Sequence, residues 1–239
     1  MIDEETPLGI KTEYSWTQRE ILPGENCLAF YVVHQYAEVY FNEELMYQLK
    51  LQNENQKGKT TASNWVMIPL YPEDEGKEIR VNIISAYEAV RNRAVTFYIG
   101  SKFMTYFNQL KEDLLQIVLS MIAMGVGSIF VILSMFHKYK GKENANLTYL
   151  EIFSITIGFW KVIDIRFAPL MFPKNPVVLS YISITMLLVG MVAWMLSIKK
   201  QFLRKSYHIV EWISVLACMV ALMIMMLQMT NIADLRETL

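Results

Sequence analysis

Leu114-Leu115-Gln116-Ile117-Val118-Leu119-Ser120-Met121-Ile122-Ala123-Met124-Gly125-Val126-Gly127-Ser128-Ile129-Phe130-Val131-Ile132-Leu133-Ser134-Met135-Phe136 contains no charged side chain. A hydrocarbon layer of about 30 Å is crossed by roughly 20 helical residues, so this run is long enough to span a bilayer. Three further apolar runs follow, at residues 147–167, 177–198 and 208–229. Upstream of Asp113 no stretch has this character. The expected architecture is therefore a water-facing domain over residues 1–107 and a transmembrane helical region of four spans over residues 108–239.

Charge divides the same way. Through Asp113 there are 17 acidic and 11 basic residues, a net of −6; the remainder has 6 and 11, a net of +5, which together give the chain's −1. Cytoplasmic loops near spans are enriched in Lys and Arg. The first connection carries Lys138, Lys140 and Lys142, and the third Lys199, Lys200, Arg204 and Lys205. Both are expected inside, which puts the N-terminal domain and the C-terminus outside. An acidic outer domain with basic inner loops suits a membrane receptor and argues against nucleic-acid binding.

The first 113 residues read as short strands. Apolar and aromatic segments at 27–33, 36–41, 45–49, 65–70 and 95–99 are separated by polar turns. Ile79, Val81 and Ile83 alternate with Arg80 and Asn82, the period of a half-buried strand. Asn42-Glu43-Glu44 supplies turn chemistry between two strands of a hairpin. Several short strands with regular turns point to an all-β antiparallel sandwich of the jelly-roll kind, with residues 52–63 as a polar exposed loop.

The run His34-Gln35-Tyr36-Ala37-Glu38-Val39-Tyr40-Phe41-Asn42-Glu43-Glu44-Leu45-Met46-Tyr47 resembles a hairpin in the extracytoplasmic sensor domains of certain bacterial multi-span receptors. Residues 65–70, the turn ending Gly76-Lys77-Glu78-Ile79, and Tyr98-Ile99-Gly100-Ser101 fit the same pattern in the same order. The resemblance implies a sensor region in the bacterial cell membrane, coupled to a cytoplasmic output, commonly a GGDEF diguanylate cyclase domain. It also implies an anchor ahead of residue 1 and further spans beyond Leu239. No GGDEF motif occurs in the sequence, so cyclase activity is not expected of this chain.

Tyr36, Tyr40, Tyr47, Trp65 and Tyr87 are candidates for a ligand-stacking face, carbohydrate being one ligand class such a face would take, although strands use aromatics routinely. The competing function is a membrane-tethered surface binding protein without inward signalling. Lys161, Asp164 and Arg166 lie at the outer end of the second run, where ionisable groups mark function or pairing; Lys161 and Asp164 are three apart and within pairing reach. Snorkelling of the long side chains to water is the plainer account. Glu151 and Glu211 fit the favourable end of a helix dipole.

Ala123, Gly125, Gly127, Ser128 and Gly190 read as helix-packing positions. Met219, Met223, Met225, Met226 and Met229 read as adaptable packing. Cys27 and Cys218 fall in different parts, and His34, His137 and His208 are scattered, so neither a disulfide framework nor a metal site is expected. No GxSxG, HExxH, phosphate loop or CxxC is present, so no catalytic set or cofactor site is expected. The expected partners are the lipid bilayer, an extracytoplasmic ligand and a second copy in a homodimer. Residues 106–113 are the expected coupling segment between sandwich and first span.

Overall fold

The computed structural model describes residues 2–6, 9–18, 26–49, 62–85, 87, 90, 94–140, 145–173, 176–202, 212–213, 215–220 and 223. They divide into two compact units, Met1–Glu112 with Pro169–Val177, and Asp113–Ala168 with Val178–Leu239.

The first unit is built from eight strands: β1 (Ile2–Thr6), β2 (Gly9–Thr17), β3 (Asn26–Val32), β4 (Gln35–Phe41), β5 (Glu44–Leu49), β6 (Asn64–Leu70), β7 (Glu78–Ser85) and β8 (Phe97–Ser101). They form two antiparallel sheets, one ordered β1-β2-β7-β4-β5 and the other β6-β3-β8. Strand alternation puts every second side chain on one face. Leu28, Phe30, Val32, Val66, Ile68 and Leu70 of the smaller sheet meet Ala37, Val39, Phe41, Ile79, Val81 and Ile83 of the larger one in a single buried cluster. Tyr14, Trp16, Tyr47, Leu49 and Phe97 pack against its edge.

The hairpin over 36–49 is present, and its tight turn has a defined cause. Asn42 and Glu43 both adopt positive φ, 45° and 71°, the handedness that matches the twist of flanking strands. A register shift at Val39/Tyr40 bends the pair. β1 and β2 were not anticipated, because Glu4, Glu5, Lys11 and Glu13 interrupt the apolar alternation; they form a hairpin whose β2 adds to β7. The loop expected over 52–63 lies largely outside the described residues.

The helices are α1 (Lys102–Tyr139), α2 (Ala145–Asp164), the short α3 (Ala168–Met171) and α4 (Pro176–Phe202). At 1.5 Å per residue, the 38 residues of α1 extend about 57 Å. α1 and the Pro176–Lys199 part of α4 are long and apolar enough to cross a membrane. α1 begins well before residue 114, so the boundary expected at 107/108 falls inside a continuous helix. α2 ends at Asp164, which leaves Arg166 and Phe167 in the turn that follows. Within 208–229, Trp212, Ile213, residues 215–220 and Met223 are helical; the rest of that run lies outside the described residues.

In the second unit the helices approach through glycines. A Cβ on Gly127 of α1 would come 2.6 Å from Ile155 Cγ1 of α2, and one on Gly158 of α2 would come 2.8 Å from the Ser120 carbonyl of α1. A Cβ on Gly190 of α4 would come 3.0 Å from Thr156 Oγ1 and Ile157 Cδ1, and Phe153 meets Trp194 with ring centroids 4.8 Å apart. Small residues thus let α2 pack closely against both α1 and α4. Gly125 meets nothing within 4 Å. Ser120 and Thr156 donate their hydroxyls to carbonyls of the preceding turn, which satisfies these polar groups within their own helices. Buried Asp113 accepts the Phe167 backbone N–H at 2.8 Å, tying α1 to the turn after α2.

Candidate functional site

On β8, alternation divides two neighbouring aromatics. Phe97 turns inward, its ring 5.1–5.2 Å from those of Tyr14, Trp16 and Phe30. Tyr98 turns outward and is 40 % exposed. Across the outer face of the same sheet, Trp65 stands opposite Tyr31, with ring centroids 5.4 Å apart, and 6.1 Å from Tyr98.

β8 ends at Ser101 and α1 begins at the next residue. Thr105, Asn108 and Glu112 recur at spacings of three and four, which puts them on one stripe of α1, and Ser101 closes β8 just ahead of it. With Trp65, Tyr98, Met104 and Gln109 they line a cleft of about 300 Å³. That volume is at the small end of ligand pockets and suits one ring-sized or smaller molecule. The lining holds aromatic faces, hydroxyls, amides and one carboxylate, and no basic side chain.

Cys27 lies beside this cleft, opposite Gly100 in the ladder, and is buried. Burial pushes its thiol pKa up, against a smaller downward pull from the Thr105 hydroxyl and the Lys102 charge. A protonated, covered thiol is a packing group rather than a nucleophile. Among the described residues no three His, Cys, Asp or Glu side chains converge as metal ligands.

The five aromatic candidates do not share a face. Tyr47 packs against the core. Tyr36 and Tyr40 lie on the opposite face of β4 from Ala37, Val39 and Phe41, and Tyr36 is only 5 % exposed. Tyr40 sits in a polar group of its own: its hydroxyl donates to Glu38 at 2.9 Å, Gln48 donates to Glu38 at 2.7 Å, and the Arg80 guanidinium lies 5.0 Å from its ring centroid. Burial and the Glu38 carboxylate raise the Tyr40 pKa, so it remains a neutral donor. Tyr87 is 6.3 Å from the His34 ring. Trp65 is the one candidate that lines the cleft.

The three charged candidates lie at and just beyond the end of α2. The Lys161 ammonium lies 5.3 Å from the Trp160 ring centroid, Asp164 closes the helix, and Arg166 is exposed in the turn beyond. Buried Glu151 has a carboxylate oxygen without a hydrogen-bond partner among the described residues. Sequence reasoning quoted Tyr98 only for the resemblance and residues 106–113 only as a coupling segment, and took neither as a ligand contact; the Thr105, Asn108, Glu112 spacing immediately ahead of the apolar run was the available signal. Comparison of the chain with protein families, curated proteins and solved structures finds no match.

Proposed function

We propose that this chain is the input region of a membrane sensor, in which an extracytoplasmic domain of jelly-roll kind binds a small ligand and a bundle of four spans carries the change inward. One observation carries the reading: the cleft is lined jointly by β8 and the first three turns of α1, and α1 continues without a break to Tyr139. A molecule in the cleft touches the helix that would conduct the signal. Ligand binding shifts a two-state equilibrium only when its contacts differ between the states, and a helix forming one wall of the cleft meets that requirement. The alternation of the chain between sheets, β3 to β4, β5 to β6, β6 to β7 and β7 to β8, supports the jelly-roll relation. The 20-residue α2 and the helical residues within 208–229 support the two further spans. In this reading the N-terminal domain faces outward, the bacterial cell membrane is the site of action, and the output, such as a diguanylate cyclase, is supplied by residues outside this sequence.

Closing the cleft artificially tests the coupling without knowledge of the ligand. In a Cys27→Ala, Cys218→Ala background, Tyr98→Cys and Asn108→Cys are bridged by a short bifunctional maleimide, and hydrogen exchange is followed at residues 134–139. Exchange there should change on bridging, and a five-residue Gly-Ser insertion between Glu112 and Asp113 should abolish the change. Exchange indifferent to bridging sinks the proposal. A tethered binding protein without signalling is the second reading, favoured by the exposed Tyr98 ring, which sugars and other flat ligands can use; it predicts binding that survives the insertion unaltered and no exchange response.

A further inference from the structure

The chemistry of the cleft selects among ligand charges. Glu112 is the only carboxyl side chain in its lining, which holds no Lys, Arg or His. Trp65 and Tyr98 offer π faces, which attract a cation through the ring quadrupole. Ser101, Thr105, Asn108 and Gln109 contribute oxygens that accept hydrogen bonds from an ammonium. An anion would meet that carboxylate with no cation in the lining to offset it. At 100° per residue, Lys102 and Lys111 fall about 90° to either side of the polar stripe, away from its centre. The net of −6 through Asp113 draws cations toward this part of the chain.

We infer that the cleft between Tyr98 and the Thr105–Asn108–Glu112 stripe binds a small organic cation of the alkylammonium class, with Glu112 as counter-ion and the Tyr98 and Trp65 rings as its apolar walls. The inference rests on the reading of the cleft as the input site and names what enters it. Two sources carry this chemistry, a free amine or quaternary ammonium and the headgroup of a lipid. Glu112 stands two residues before Leu114, where the apolar run of α1 begins, so a headgroup is within the class.

The test uses the full chain in nanodiscs of phosphatidylglycerol, whose headgroup has no ammonium, with calorimetric titration of choline chloride, and of sorbitol and sodium acetate as neutral and anionic probes. Saturable choline binding is expected, with none for sorbitol or acetate. Glu112→Gln should weaken choline binding about tenfold and Tyr98→Ala about three- to tenfold; both positions are exposed, so the fold should persist, as thermal unfolding will verify. Nanodiscs of phosphatidylcholine separate the sources: an abolished choline signal identifies the headgroup as occupant, and an unchanged one a free cation. Silence toward choline, or choline binding indifferent to Glu112→Gln, overturns the inference. Saturable sorbitol binding that depends on Tyr98 also overturns it, yet leaves the input reading intact, because that reading is tested separately by bridging the cleft.

Discussion

Asp74 shows how much one side chain can hold. It is 5 % exposed in the turn before β7, where it accepts the Tyr71 backbone N–H at 2.9 Å and the Lys77 ammonium at 2.7 Å. Burial alone would raise its pKa, but the Lys77 and Tyr71 hydrogen bonds and the Lys77 charge more than offset it and hold the carboxyl below its ordinary 3.8. A depressed carboxyl pKa stabilises the fold above the unfolded value, and that contribution decays as pH falls from about 3.8 through the lower folded value. Asp74→Ala should therefore cost about 1–2 kcal/mol at pH 7, and the difference from wild type should narrow below pH 4; urea denaturation at the two pH values measures both. Of this site only the polar turn was legible beforehand, since Pro72-Glu73-Asp74-Glu75 offers three acids and nothing local says which one turns inward. Tyr36 has the same lesson in reverse: its residue type fits a binding face, yet it is covered.

Among the elements, the β4–β5 hairpin and the glycine contacts between helices make opposite demands on the backbone. Glu43 occupies the left-handed region at φ 71°, which costs an L residue about 1–2 kcal/mol and glycine little. Glu43→Gly should stabilise the first unit by about 0.5–1 kcal/mol after the entropy of a freer unfolded chain is subtracted, readable as a higher unfolding midpoint. Gly158→Ala should have the opposite effect. Its Cβ would meet Met124 Cγ at 2.6 Å, the Ser120 carbonyl at 2.8 Å and the Met124 backbone N at 3.1 Å. Backbone atoms cannot step aside as side chains can, so α1 and α2 must separate, at about 1–3 kcal/mol. Gly125→Ala meets nothing within 4 Å and should leave the thermal midpoint in detergent unchanged or slightly raised, since alanine is the better helix former. Both glycines are small residues in an apolar helix, and sequence spacing did not separate the one that packs from the one that does not, because that depends on which face the neighbour occupies.

For the whole molecule, the orientation inferred from Lys and Arg in the loops makes an experimental claim. A membrane-impermeant amine reagent applied to intact cells should modify Lys77 and Lys111 and spare Lys138 and Lys140; the reverse labelling pattern would overturn the topology. Both long apolar helices and the strand-rich character of the first hundred residues were legible in the sequence, because hydrophobic burial and bilayer thickness act on composition and period, which are local properties. The strand pairing was not, nor were β1 and β2, whose charged residues hide the alternation. The cleft was least legible of all. Its lining comes from Trp65 on β6, Tyr98 on β8 and the first turns of α1; Trp65 was a candidate by residue type, but nothing in the sequence joins it to Tyr98 and the start of α1. What the sequence determined by itself is a strand-rich domain followed by apolar helices, together with the charge of each part. What only the tertiary structure decided is which aromatic side chains face solvent, which glycines touch, and that the polar stripe of α1 stands over Tyr98. Those outcomes depend on which face of each strand and helix a neighbour covers, a relation between segments far apart in the chain.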